Sequence, residues 1–192
     1  VAEIAFNEAL HEYRVAGRLV PSVTQVLGIL QDFGGVNADV LARAAEFGTH
    51  VHQACALANA GTLDEASLDP SLAPYLASWR RFLSESGAEI LSSELRVFHR
   101  GLRYAGTLDA LALWKGQRCI IDIKTGQMPR TVGAQTEAYR MAYQSQECGE
   151  VPRRRYCVQL TEDAYKVHSL TDPADWSLFQ SCLNVYRFLK AA

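Results

Sequence analysis

The sequence lacks an excess of either charge, a cysteine-pairing pattern and any long apolar run, and each lack narrows the reading. With a formal net charge of −2, the whole-molecule field gives no reason to expect a polyanionic partner. Charge has to be judged locally, at Arg80-Arg81, from Arg96 to Arg103 and at Arg153-Arg154-Arg155; each group could face phosphates, while taken singly it reads first as solvated surface. The five cysteines, Cys55, Cys119, Cys148, Cys157 and Cys182, include no Cys-x-x-Cys pair and are odd in number. That argues against a disulfide framework and suits reduced, buried thiols in a cytosolic protein. The first residues carry Glu3 and Glu8 without a long apolar stretch, so neither a signal peptide nor a membrane span is expected. The chain opens on Val1, which leaves a longer native N-terminus open.

No Ser/Gly/Pro-rich linker, like-charge block or internal repeat interrupts the chain. Its 192 residues, 48% of them hydrophobic, are enough to bury one sizeable core and too few to argue for two. The expectation is one domain over 1–192, with a helical N-terminal part over 21–87, a core over 90–170 and a C-terminal helix over 172–190.

Periodicity supplies the elements. Residues 11–20 alternate around Gly17 and read as a small β-hairpin or a pair of short strands. Ser22 with Gln25 three residues on is a capping-box pattern, and Val23, Val26, Leu27 and Leu30 form one helical face. Asn37 to Asn59 predicts a long helix ended by Gly61. Ser71 to Glu85 predicts another, with Leu72, Leu76, Trp79 and Leu83 inward and Gly87 closing it. From Ile90 to Lys124 three strand-like runs, separated at Gly101 and at Lys115-Gly116-Gln117, predict a β-meander. A helix over about 132–145, strands over 155–160 and 165–170, and a helix capped by Asp172-Pro173 with Trp176, Phe179, Leu183 and Tyr186 inward complete the series. The sum is an α/β sandwich around a mixed sheet.

The chemistry is concentrated where two of these strands meet. Strand alternation puts Ile120, Asp122 and Lys124 on one face and Cys119, Ile121 and Ile123 on the other. If Lys115-Gly116 is a two-residue turn, Trp114 faces Gln117 and the register carries Asp109 opposite Asp122, with Cβ atoms roughly 4.5 to 5.5 Å apart. Sliding the turn by one residue would flip the face. Two carboxylates that close, among Leu111, Leu113 and Ile120, repel and raise one pKa unless something neutralises them. A divalent cation is the economical answer, and all-oxygen ligation suits Mg²⁺ or Mn²⁺. The plainer alternative is a surface ion pair between Asp122 and Lys124.

Four short motifs stand in order around that pair: Gly48-Thr-x-x-His52, Gly106-Thr-Leu-Asp109, Asp122-Ile-Lys124-Thr-Gly126 and Gln135-Thr-Glu-Ala-Tyr139. Together they resemble the RecB-type branch of the PD-(D/E)XK nuclease superfamily. Pro21-Ser-Val-Thr24 adds a likeness to its mitochondrial-genome-maintenance exonucleases and their bacterial and phage relatives. The resemblance runs from about Pro21 to Tyr143, and it implies a restriction-endonuclease-like α/β/α fold and Mg²⁺- or Mn²⁺-dependent hydrolysis of DNA, leaving a 5′-phosphate. It implies metal ligation by His52, Asp109, Asp122 and the Ile123 carbonyl. Lys124 would orient and help deprotonate the attacking water or hold the scissile phosphate, Glu94 would support the site from the first or second shell, and Gln135 and Tyr139 would contact the substrate strand. Half-buried polar packing is the alternative for that last pair. Thr24 and Gln25 approach substrate on the same likeness, and Ser22 reads as a helix cap.

The partner expected is DNA, as single strands or duplex ends, with a recombination or replication protein as a further candidate. The setting expected is the cytoplasm of a bacterial or phage-infected cell, in recombination, repair or phage genome processing. A structure- or site-specific endonuclease and a catalytically silent DNA-binding module are the alternatives; the presence of Asp109, Asp122 and Lys124 together argues against silence. Leu108 stands where the superfamily name has proline, a departure common in the RecB-type branch. Cys148, Cys157 and Cys182 are too dispersed for the iron-sulfur cluster that some relatives carry, so no cluster is expected. His50 is expected at the surface, and His99, His168 and the three tryptophans in structural roles.

Overall fold

The computed structural model describes residues 3–7, 10–30, 37–146 and 149–191. Three short strands open the chain: β1 (Ile4–Asn7), β2 (Glu12–Val15) and β3 (Arg18–Val20) form a separate antiparallel sheet in that order. The hairpin expected over 11–20 is β2 and β3, joined through Ala16 and Gly17 at φ 48° and 75°, the left-handed pair a tight hairpin turn needs. β1 was not legible, because four residues alternating between half-buried and exposed carry too little pattern.

Ser22 caps α1 (Val23–Leu27) with both halves of the capping box in place. The helix is short and passes into a 3₁₀ turn over Gly28–Leu30. Asn37 caps α2 (Ala38–Asn59), and α3 (Ala73–Ser86) ends on Gly87 at φ 66°, where a glycine costs least. The meander follows as β4 (Glu89–Phe98), β5 (Ala105–Trp114) and β6 (Gln117–Lys124). Lys115 and Gly116 turn at φ 51° and 71°. Helix α4 (Val132–Ser145) crosses to β7 (Arg154–Leu160), which pairs parallel with β6, and β8 (Tyr165–Ser169) closes the five-stranded mixed sheet β4-β5-β6-β7-β8.

The final helix, α5 (Asp175–Lys190), starts later than Asp172-Pro173 suggested. Asp172 accepts from the backbone of Ala174 in the turn before it, so it caps the approach rather than the helix.

Helices cover both faces of the sheet. On one side Val23, Leu27, Ala138, Tyr143, Phe179 and Leu183 from α1, α4 and α5 pack on Leu108, Leu111 and Ile120. On the other, Val51, Cys55, Leu76, Trp79 and Phe82 from α2 and α3 pack on Ala110, Cys119, Ile121 and Val158. This is an α/β/α sandwich whose strands alternate apolar residues to two cores, as a sheet buried on both faces must. Cys55, Cys119, Cys157 and Cys182 are free and buried, while Cys148 lies outside the described residues. No helix among the described residues is long and apolar enough to cross a membrane.

Candidate metal centre

Trp114 pairs with Gln117, and the β5–β6 register runs inward to Ala110 opposite Ile121. It stops there, one step short of Asp109 and Asp122. The backbone N–H of Ile123, freed from the β5–β6 ladder, donates instead to Asp109 Oδ2 at 2.7 Å. A second irregularity faces it across β4. Ser93 pairs with Ala110 and Leu95 with Leu108, and between them Glu94 adopts φ 50°, a conformation sparsely used by residues with a side chain.

The left-handed residue switches the strand's facing. Ser93 accepts from Asn59 of α2, whereas Leu95 packs into the opposite core; regular alternation would have put both on one face. Asp109 sits at the matching switch on β5, between Leu108 and Ala110, which belong to different cores. The two acids therefore emerge where the sheet changes sides, and simple face parity does not place them.

His52 reaches this point from α2, its Nδ1 3.4 Å from Asp109 Oδ1. Ligating atoms of His52, Glu94 and Asp109 lie within 4.8 Å of one another. Asp122 stands apart from that set. It is 1% exposed, with Oδ2 2.7 Å from Lys124 Nζ and Oδ1 accepting from Gln135 Nε2 at 3.2 Å. Among the described residues Oδ2 has no hydrogen bond beyond this ion-pair contact. Gln135 also donates to the hydroxyl of Tyr139 at 3.1 Å, as a pair four apart on one helical face can. Of the residues singled out in the sequence, His52, Glu94, Asp109, Asp122, Lys124, Gln135 and Tyr139 converge. Ile123 takes part through its N–H. His50 is exposed on the surface of α2.

The electrostatics describe a site short of positive charge. Burial pushes Asp109 up, but His52, Lys124 and the Ile123 N–H outweigh it and hold its carboxyl below the usual range. Asp122 goes the other way, raised by burial and by the Asp109 charge against the pull of Lys124. Burial works against the charge on Lys124, and the two aspartates overcome it and keep the ammonium protonated. Lys124 thus gains from two carboxylates, while Asp122 gains from one ammonium and suffers from its neighbour. Burial and Asp109 push Glu94 up to about 7; its outer side is open to solvent, which works against the shift. His52 is disfavoured as a cation by burial and raised overall by Asp109. Within the His52, Glu94 and Asp109 set, burial and the Asp109 charge favour a proton on Glu94, and the Asp109 charge favours one on His52, places where a divalent cation would supply the positive charge instead.

The site lies in a cavity of about 1140 Å³. Its walls include α2, α4 and the first sheet, and Tyr13, Thr107 and Arg96 line it beside the residues expected. Sequence reasoning singled out Arg96 as one of a basic group and missed Tyr13 and Thr107, which are joined by a contact across 94 residues of chain.

No protein-family model matches the chain. Over 57 residues, 29% of its length, it is 39% identical to mitochondrial genome maintenance exonuclease 1 of Mus musculus. The chain resembles the PD-(D/E)XK nucleases in sequence. The matched segment spans 16% of the mouse protein. Among solved structures, the alkaline exonuclease LHK-Exo of Laribacter hongkongensis aligns over 88% of this chain and 87% of its own, at 14% identity and a TM-score of 0.44. LHK-Exo in complex with dAMP aligns over 90% and 88%, at 14% identity and 0.46, and SSO0001 over 62% and 57%, at 16% and 0.38.

Proposed function

We propose that this protein is a Mg²⁺- or Mn²⁺-dependent deoxyribonuclease that hydrolyses phosphodiester bonds, acting as an exonuclease on DNA ends or single strands. The observation that carries the reading is the meeting of His52, Glu94 and Asp109 with Lys124 on the wall of one large cleft, where Lys124 is paired to the buried Asp122. The exonuclease likeness supports the choice of substrate and reaction.

In this reading His52, Glu94 and Asp109 hold the ion, and the Asp122 carboxylate completes its surroundings. A bound divalent cation supplies a polarised water and a Lewis acid for a phosphate oxygen. Asp109 is kept ionised by its neighbours and fixed by the Ile123 N–H, so it is preorganised to bind. The two aspartates favour the Lys124 ammonium, and in this reading it serves as a donor that stabilises charge gathering on the phosphate. Gln135, anchored between Asp122 and Tyr139, fixes the carboxylate it touches and faces the same cleft. Trimming DNA in recombination, repair or phage genome processing is the role proposed for this chemistry.

The test is digestion of end-labelled single- and double-stranded DNA with Mg²⁺, Mn²⁺ or chelator, beside Asp122→Ala and Lys124→Ala. Cation-dependent loss of the label by the unsubstituted protein, and none by either variant, is expected. Cleavage that survives chelator and both substitutions overturns the reading.

A further inference from the structure

The cleft that holds the carboxylates has a second wall, built from the first sheet, to which the chemistry so far gives no role. Phe6 and Tyr13 are cross-strand partners on β1 and β2, with ring centroids 4.5 Å apart and planes tilted by 31°. The imidazole of His11 meets Phe6 edge-on at 5.2 Å and 86°. All three rings line the same cavity as His52, Glu94, Asp109 and Lys124.

Their exposure divides the work. Tyr13 is buried and its hydroxyl is bonded to Thr107 Oγ1 at 2.8 Å, so it anchors. Phe6 is half-buried and His11 exposed, with His11 Nε2 3.4 Å from Thr24 Oγ1. These two keep ring surface open to the cleft. Arg96, the cross-strand partner of Thr107, sets its guanidinium carbon 5.8 Å from the centre of the Phe6 ring. A purely structural cluster would close over its aromatic faces. Here the small core beneath is Tyr13, Val15, Val20, Phe98 and Ala105, and Phe6 packs only against its edge.

An exposed imidazole at the edge of a half-buried ring, with a cation over that ring, matches the chemistry of an unpaired nucleobase and its phosphate, a neutral π-face attached to an anion. A duplex keeps those faces inside its own stack and gains nothing from such a wall. The position fits as well. Thr107 lies two residues from Asp109 on β5, about 7 Å along the strand, or about two stacked-base rises.

The geometry points to Phe6 and His11, steadied by Tyr13 and flanked by Arg96, as a stacking subsite for an unpaired base of the strand whose phosphate reaches Asp109. The subsite selects single strands over paired ends, and it rests on reading the cleft as a nuclease site.

The test separates binding from cleavage. Fluorescence anisotropy of the full chain in chelator compares a single-stranded oligodeoxynucleotide with one of equal length carrying abasic sites. The unsubstituted protein is expected to bind the base-bearing strand about tenfold more tightly. Phe6→Ala shrinks that preference to about twofold or less, and Phe6→Trp retains it. The salt dependence of binding stays as it was, because phosphate contacts are untouched. Thermal melts check folding, and if Phe6→Ala unfolds, Phe6→Leu removes the π-face at similar volume and gives the same shrinkage. No preference in the unsubstituted protein, or a preference surviving Phe6→Ala combined with His11→Ala, overturns the subsite. A preference without Mg²⁺- or Mn²⁺-dependent cleavage sinks the nuclease reading and leaves the subsite standing; cleavage without the preference does the reverse.

Discussion

Asp109 and Ile123 are joined where their strands stop pairing: the carboxylate takes the backbone N–H at 2.7 Å, just beyond the last β5–β6 pair, Ala110 with Ile121. The side chain thereby does the work of a missing backbone carbonyl, and its position is set by the sheet itself. Asp109→Asn keeps an oxygen for that N–H and loses the charge. It should melt within a few degrees of the unsubstituted protein and bind Mn²⁺ at least tenfold more weakly by isothermal titration. Asp109→Ala leaves a buried donor unsatisfied, at about 1–3 kcal/mol, and a clear drop in melting temperature is expected there alone. Equal melting of the two variants would refute the backbone role.

The Asp122–Lys124 pair is the second test of architecture. Lys124→Met strands a carboxylate that is almost wholly buried, and removing one partner of such a pair costs about 3–5 kcal/mol. Because Lys124 is partly exposed, the lower end is expected. The double variant Asp122→Asn/Lys124→Met should recover much of that stability and none of the activity. Urea denaturation beside a digestion assay reads both; a double variant no more stable than Lys124→Met would mean the pair does not couple.

The elements were legible because their signals are local. The Ser22–Gln25 capping box, the Lys115-Gly116 turn and Gly87 at a helix end each fix a boundary through one or two residues. The turn also fixes the register as far as Ala110 opposite Ile121, one step short of Asp109 and Asp122. What the sequence did not carry is the change of facing at Glu94, since a positive φ at a glutamate has no compositional mark. That change is why Glu94 and Asp109 gather with His52 of α2 while Asp122 turns to Lys124 and to Gln135 of α4. The placing of Tyr13 and Thr107 on the wall beside Arg96 was hidden for a related reason. It depends on a small sheet folding across the cleft, a contact between distant segments with no periodicity to announce it.

The proton load of the site gives a pH dependence with a definite sign. Glu94 is raised from 4.5 to about 7, so the folded state holds its proton more tightly than the unfolded chain. The stability this supplies is complete below about pH 4.5 and is lost as pH rises through about 7. Asp122 and His52, both raised, act in the same direction. Asp109, lowered from 3.8, acts oppositely but in more acidic solution. A cation competes with these protons, so the increase in melting temperature produced by Mg²⁺ or Mn²⁺ should grow from pH 5 to pH 8. In Glu94→Gln that growth should be markedly smaller. A cation effect flat across this range would show that the ion does not displace protons from these groups.

Gly106 is constrained from outside its own strand. A Cβ there would stand 2.5 Å from Cε1 and 3.1 Å from Cδ1 of Tyr139, a buried ring with little room to retreat. Gly106→Ala must push the ring and α4 outward, and overpacking of this kind costs about 1–3 kcal/mol. The displacement carries a functional consequence, because Tyr139 holds Gln135, and Gln135 holds Asp122. Tyr139→Phe separates the two effects: it removes the hydroxyl that Gln135 donates to and leaves the ring where it packs. If the chain from Tyr139 to Asp122 orients the carboxylate, Tyr139→Phe lowers kcat severalfold with KM and melting temperature nearly unchanged. Gly106→Ala should then lower stability and kcat together. Full activity in Tyr139→Phe would reduce the contact between Gly106 and Tyr139 to packing, with the orientation of Asp122 left to Lys124 and the strand.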